Sequence, residues 1–215
     1  MSYAVKEIFM TLQGEGCHAG RASVFCRFAG CNLWSGREAD RASASCAFCD
    51  TDFVGVDGAR GGKYDDAISL ADALEACWEA QVRVEARDRR WAVLTGGEPL
   101  LQVDQALVDA LHTRGFGVAL ETNGTLLPPV GLDWICVSPK EGNPLQLCSG
   151  DELKLVYPQP GCDPARYVDL DFRHFLLQPL DQAGDRRHEG AALAYCLHHP
   201  RWRLSLQTHK WLGIP

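Results

Sequence analysis

Along the chain, short apolar runs alternate with segments whose apolar residues recur at helical spacing. The runs near Val5–Met10, Ser23–Phe28, Trp91–Thr95, Phe116–Glu121, Trp134–Ser138, Glu152–Val156, Phe175–Gln178 and Arg203–Ser205 predict about six to eight strands. The segment Leu70–Ala86 sets Leu70, Ala73, Leu74, Cys77, Trp78 and Val82 on one face, with Ser69 as N-cap and Asp72 completing a capping-box-like pair. Val103–Arg114 repeats the pattern through Ala106, Leu107, Ala110 and Leu111, and stops at Gly115, which suits the left-handed position after a helix. A third helix is predicted over Glu189–His199, stopped by Pro200.

Strand, helix, strand over 91–95, 103–114 and 116–121 is a βαβ unit, which implies a parallel sheet. Farther on, Ser138–Glu152 and Tyr157–Phe175 hold Pro, Gly and Asn and leave little room for a full crossover helix. A complete (β/α)8 barrel takes roughly 250 residues, and this chain has 215. The expected fold is α/β: a partial, open (β/α) barrel with about six core parallel strands and about three full helices, its chemistry gathered at the C-terminal strand ends. Ser35–Ser45, and Gly55–Gly62 with four glycines in eight residues, read as loops. No repeat or linker divides the chain, so residues 1–215 are expected to form a single domain.

Composition removes several classes. Hydrophobic residues at 46% and charged residues at 23% exclude a disordered, collagen-like or coiled-coil chain. With 21 Lys and Arg against 28 Asp and Glu, the net charge is −7, and no basic block offers a footprint for a phosphate backbone. Direct nucleic-acid binding is therefore not expected. The start, Met1–Glu7, carries no secretory pattern, and no run approaches the ~18 apolar residues of a membrane span, so a cytoplasmic protein without a membrane partner is expected. In a reducing compartment its ten cysteines stay thiols or bind metal.

Cys31, Cys46 and Cys49 stand in a C-x14-C-x2-C arrangement after an apolar strand. The close pair can turn two thiolates toward one metal centre, either structural zinc completed by Cys17 or Cys26, or an iron–sulfur cluster. Spacing alone leaves both open. The segment Thr95-Gly96-Gly97-Glu98-Pro99 follows a strand and precedes a helix, so it lies at the C-terminal sheet edge. Its two glycines let backbone approach a ligand, and Glu98 offers a carboxylate to an ammonium. Alone, the segment equally reads as a tight turn with Pro99 opening a helix.

Together the two features resemble the radical S-adenosylmethionine superfamily, in which three cysteines hold a 4Fe–4S cluster and a Gly-Gly-Glu-Pro strand end receives the methionyl amine. Phe48 and the close cysteine pair match the superfamily motif; the first gap is 14 residues here instead of three. Cys26 is the alternative first ligand, and Cys31 is preferred because Gly30-Cys31-Asn32-Leu33 resembles the usual context. A narrower resemblance is to the 7-carboxy-7-deazaguanine synthase family. It is carried by Phe9-Met10-Thr11-Leu12-Gln13-Gly14-Glu15-Gly16, Phe25-Cys26-Arg27-Phe28-Ala29-Gly30, Cys49-Asp50-Thr51, Glu121-Thr122-Asn123-Gly124-Thr125, Ser138-Pro139-Lys140, Gln178-Pro179-Leu180-Asp181 and the tail Leu206 to Pro215. These seven matches occur in order over nearly the whole chain. Some members enlarge the cluster loop, here about residues 31–62, and reduce the barrel.

What the resemblance implies is a radical ring contraction of 6-carboxy-5,6,7,8-tetrahydropterin to 7-carboxy-7-deazaguanine with loss of ammonia. S-adenosylmethionine serves as cofactor, flavodoxin or ferredoxin as electron donor, and a homodimer is the implied assembly. Cys31, Cys46 and Cys49 would hold the cluster. Leu12, Gln13, Gly14, Glu15, Arg27, Thr95, His209 and Pro215 would bind the pterin, with the planar fork of Arg27 suited to its carboxylate. Phe48, Cys49, Asp50, Gly97, Glu98, Glu121, Ser138, Pro139, Lys140, Gln178, Pro179, Leu180 and Asp181 would bind S-adenosylmethionine. Thr51 would ligate Mg2+, a hard cation that takes oxygen donors. Two other readings stay open: a radical activase acting on a protein partner, and a zinc-stabilised binding module.

Overall fold

The run Trp91–Leu94 is buried on both faces, the condition of a strand inside a parallel sheet covered on either side. It belongs to the fourth strand of the following order: β1 (Tyr3–Leu12), β2 (Ala22–Phe28), β3 (Gly62–Tyr64), α1 (Ala67–Glu79), β4 (Arg90–Gly96), α2 (Gln105–Thr113), β5 (Phe116–Thr122), β6 (Trp134–Val137), β7 (Ser149–Tyr157), β8 (Asp171–Pro179), α3 (Arg187–His198), β9 (Trp202–Leu204) and α4 (Thr208–Leu212). The computed structural model describes residues 2–82, 90–181 and 186–215. All nine strands form one sheet, ordered β3-β1-β2-β4-β5-β6-β7-β8-β9. From β2 to β9 every neighbouring pair is parallel, whereas β1 runs antiparallel to both β2 and β3. The sheet has two free edges, so it is a partial, open barrel, as the missing crossover helices implied.

Every predicted strand is present, and the βαβ unit is formed by β4, α2 and β5. The outer face carries two apolar clusters. One packs β1, β2, β4 and β5 against α1 and α2 through Val24, Leu94, Leu70, Leu74, Leu107 and Leu111. The other packs the late strands against α3 through Leu153, Phe175, Leu177 and Ala192. The inner face is narrower, with Trp91, Val93 and Ala119 packed by Phe25 and Trp134.

Four local expectations need correction. Helix α1 starts at Ala67, because Asp66 accepts from Ser69 N at 2.8 Å while its own N–H donates to Ser69 Oγ at 3.3 Å. Ser69 is thus the third helical residue of a reciprocal box, and Asp72 instead accepts from Arg114 Nε at 2.9 Å. The helix ends at Glu79; of its expected last turns, residues 83–86 lie outside the described residues. On α2 the buried side chains are Leu107, Val108 and Leu111, and Ala106 is exposed. The stretch Ser35–Ser45 contains a 3₁₀ helix over Glu38–Ser43, and Gly62 opens the edge strand β3.

Candidate active site

Parallel strands deliver their C-terminal ends to one rim, and the site is built there. Two adjoining cavities open on it. Thr95 to Gly97 from β4, Glu121 to Asn123 from β5, Ser138 and Lys140 after β6, Lys154 and Val156 from β7, and Gln178 to Asp181 from β8 line the first, with Cys46 and Phe48 to Thr51 from the loop after β2. The second is lined by Leu12, Gln13, Gly14, Arg27, Thr95, His209 and Pro215, and by Glu7, Phe9, Phe25 and Lys210. Glu15, Asp50, Thr51, Thr95, Glu121 and Gln207 line both.

The loop from Cys31 to Gly61 is held as a unit. Phe53 is buried edge-on against Trp34, and Gly30 N donates to Phe53 O at 3.2 Å. Lys6 ties the far end down through Val54 O, Asp57 and Asp52. Arg41 lies over the Trp34 ring and donates to Ala47 O at 2.8 Å and Cys49 O at 3.0 Å, which fixes the close cysteine pair from outside.

Cys49 is near enough to bear on the ionisation of Cys31, and Cys49 and Cys31 on that of Cys46. Burial pushes the Cys31 and Cys46 thiols up, and Lys140 opposes that at Cys46. Gly97 fits against the first of them so tightly that a Cβ there would stand 2.1 Å from Gly30 O and 2.8 Å from Cys31 Cβ. Three thiols with a glycine cradle beside them are a donor set suited to iron–sulfur ligation. The zinc reading lacks its fourth ligand: Cys26 is buried in the apolar core behind β2, and Cys17 sits against Arg203 and Glu152. Among the described residues no three His, Cys, Asp or Glu are placed to hold a single ion.

All eight residues expected at the pterin line the second cavity. Arg27 donates through Nε to Glu7 at 2.8 Å and makes no other hydrogen bond among the described residues, so its terminal nitrogens can meet a carboxylate. The tail closes this cavity: Thr208 N donates to Gly14 O at 2.9 Å, and Thr11 Oγ1 donates to Pro215 O at 2.9 Å. A Cβ on Gly14 would stand 2.1 Å from His209 Nδ1, which is why the approach needs glycine there.

Of the residues expected at S-adenosylmethionine, eleven line the first cavity, namely Phe48, Cys49, Asp50, Gly97, Glu121, Ser138, Lys140, Gln178, Pro179, Leu180 and Asp181. Glu98 and Pro139 do not. Glu98 is fully buried, and its oxygens accept from Leu100 N, Thr122 Oγ1 and Asn123 N, which joins β4 to β5. Pro139 is buried and offers its carbonyl to Gln159. Gly96 and Gly97 instead present backbone to the cavity.

Between the cavities lies a buried ionic group that sequence reading missed. Lys154 Nζ donates to Glu15 at 2.6 Å and to Glu121 at 3.3 Å. Glu15 also accepts from Gln178 and Gln207, and Glu121 from Gln13. Burial opposes ionisation of Glu15, yet Lys154, Gln207 and His209 hold its carboxyl down at about 2. Lys154, though buried, is held protonated by Glu121 and Glu15. Glu152 and Lys154 alternate along β7, and that inward polar alternation was the available signal.

An open parallel barrel whose rim joins a C-x2-C loop to a Gly-Gly-Glu-Pro strand end defines a radical S-adenosylmethionine enzyme. No family model matches the chain. It is 64% identical over 214 residues to the 7-carboxy-7-deazaguanine synthase of Bradyrhizobium diazoefficiens and 61% identical over 215 residues to that of Bordetella pertussis, in both cases over 100% of each chain. The crystal structure of QueE from Escherichia coli superposes with a TM-score of 0.68 at 25% identity, covering 96% of this chain and 94% of that one. The chain belongs to the 7-carboxy-7-deazaguanine synthase family, enzymes that carry a 4Fe–4S cluster and use S-adenosylmethionine. Among the described residues no helix is long and apolar enough to cross a membrane.

Proposed function

We propose that this chain contracts the ring of 6-carboxy-5,6,7,8-tetrahydropterin to 7-carboxy-7-deazaguanine, releasing ammonia. The observation that carries the reading is the shared wall: a cavity beside the cysteine loop abuts a second cavity that holds one arginine, one histidine and the chain terminus. A cofactor fragment generated in the first therefore has a path of contact to a small carboxylated substrate in the second. Cys31, Cys46 and Cys49 would hold the cluster, whose chemistry when bound would be one-electron reduction of S-adenosylmethionine.

The chain's own residues do the rest of the positioning. Phe48, Asp50, Gly97, Ser138, Lys140 and Gln178 to Asp181 enclose S-adenosylmethionine, and Lys140, which bonds Ser138 Oγ at 2.6 Å, brings positive charge toward its carboxylate. Arg27 receives the substrate carboxylate. Leu12 and Gly14 backbone, Gln13, Glu15 and Thr95 meet the pterin's amide edge, and the tail with His209 and Pro215 covers it. Thr51, on both cavities, would offer its hydroxyl oxygen to Mg2+, which would supply positive charge beside the substrate. We take residues 1–215 to act as one domain with a modified cluster loop at about 31–62, in a cytoplasmic homodimer reduced by flavodoxin or ferredoxin.

The test is anaerobic reconstitution with iron and sulfide, then incubation of reduced protein with S-adenosylmethionine and the carboxypterin. Mass spectrometry should find 7-carboxy-7-deazaguanine, lost in Cys46→Ala. Cofactor cleavage that leaves the carboxypterin untouched and unbound would overturn the substrate assignment.

A further inference from the structure

Lys154 is 5% exposed and contacts the two carboxylates, Glu15 and Glu121, that line both cavities. Two half-buried carboxylates face one buried ammonium, which leaves one negative charge in excess at the wall. Buried charges stay ionised only when paired and hydrogen-bonded. Here each carboxylate gives Oε2 to Lys154, while Oε1 takes Gln178 and Gln207 at Glu15 and Gln13 at Glu121. Both retain lone pairs for further N–H donors. A pterin's amino and ring N–H edge is such a donor, and a carboxylate without a proton offers it acceptors on both oxygens.

Resting on the synthase reading above, we infer that Lys154 is a positioning residue for substrate: it holds Glu15 and Glu121 in fixed orientation, so that the wall presents acceptors to the N–H edge of the pterin. The other charged or titratable neighbours do not replace it. Glu152 and Cys136 stand on its own side of the lumen and bond to each other at 3.4 Å, His209 faces Glu15 from the tail, and His18 faces Glu121 from below. Without Lys154, Glu15 loses the charge that opposes its protonation, and the oxygen that takes a proton turns from acceptor to donor.

Lys154→Met and Lys154→Gln, reconstituted with iron, test this. Each should raise KM for the carboxypterin, and its calorimetric Kd on the oxidised enzyme, by on the order of ten-fold or more. kcat should fall less, and the acid limb of kcat/KM should move to higher pH. Adding Glu121→Gln to Lys154→Met removes the second negative charge and should return the acid limb, without restoring KM. Unchanged KM, Kd and acid limb in a variant that loads iron would overturn the inference. So would failure of both variants to fold, since Lys154 would then hold the sheet and not the site. If wild-type protein neither binds nor converts the carboxypterin, the synthase reading itself fails, whatever Lys154 does.

Discussion

Glu98 Oε1 accepts a hydrogen bond from Thr122 Oγ1 at 2.8 Å, and this joins the rim end of β4 to the rim end of β5. The same carboxylate also receives Leu100 N at 2.9 Å and Asn123 N at 2.8 Å. These bonds fix the backbone of the rim on which the Gly-Gly-Glu-Pro segment stands. Glu98→Ala would leave the Leu100 and Asn123 N–H groups without their acceptor and should cost about 2–6 kcal/mol, because each such unsatisfied group costs about 1–3 kcal/mol. Chemical denaturation of the two proteins measures it. A change below about 1 kcal/mol would show that the rim ends are held by other contacts.

The two cysteines nearest the start of the cluster loop should behave oppositely. Cys26 lies in the apolar core with no exposed surface, and Cys31 lies beside Gly97 on the rim. Cys31→Ala should abolish the brown iron–sulfur absorbance while leaving the melting curve of the metal-free protein close to wild type. Cys26→Ala should keep the absorbance and lose roughly 1–2 kcal/mol of stability to the small cavity left behind. Retained iron in Cys31→Ala together with lost iron in Cys26→Ala would transfer the first ligand to Cys26.

Legibility in the sequence followed burial and repetition. Strands such as Trp91–Leu94 and Phe116–Leu120 are covered on both faces and show as unbroken apolar runs, so their parallel pairing was readable. The edge strand β3 was not, since Gly62, Lys63 and Tyr64 pair with β1 alone and carry no apolar period. Two acceptors three residues apart, Asp66 and Ser69, both fit an N-cap, and only their reciprocal bonding sets the start of α1. At the site, short motifs marked the residues that line the cavities, but not which atoms are already used. Glu98 accepts from Thr122 and Arg27 is shared with Glu7. Lys154 was hidden because Leu-Lys-Leu in a strand ordinarily turns its lysine to water, and in a barrel that second face is the lumen.

Acid protonates Glu15 only after most of the surface carboxylates. Its carboxyl lies at about 2 in the folded protein, against an ordinary 4.5. Depression of a carboxylate means stabilisation that is present above about 4.5 and is lost as pH falls toward about 2, up to about 3 kcal/mol in all. Urea unfolding of the metal-free protein between about pH 6 and about pH 3 should show wild type losing stability faster than Glu15→Gln, whose amide has no such proton to take up. Parallel slopes for the two proteins would mean that Lys154 draws no net stability from Glu15.

Lys210 reaches from α4 to Asp50 on the cluster loop, at 2.7 Å, and to Asp181 after β8. Those aspartates line the first cavity, while Lys210 itself lines the second. All three side chains are partly exposed, so the pairs contribute little to folding, roughly 0–1 kcal/mol. Their effect belongs to closure of the tail, which Thr208 and Pro215 anchor only at its two ends. Lys210→Ala should therefore melt like wild type, yet raise KM for both S-adenosylmethionine and the carboxypterin several-fold. Salt supplies the internal control. Raising ionic strength from low to about 0.5 M should weaken the wild-type enzyme toward the variant, while the variant itself barely responds. Equal salt responses in the two enzymes would assign the closure of both cavities to the backbone anchors alone.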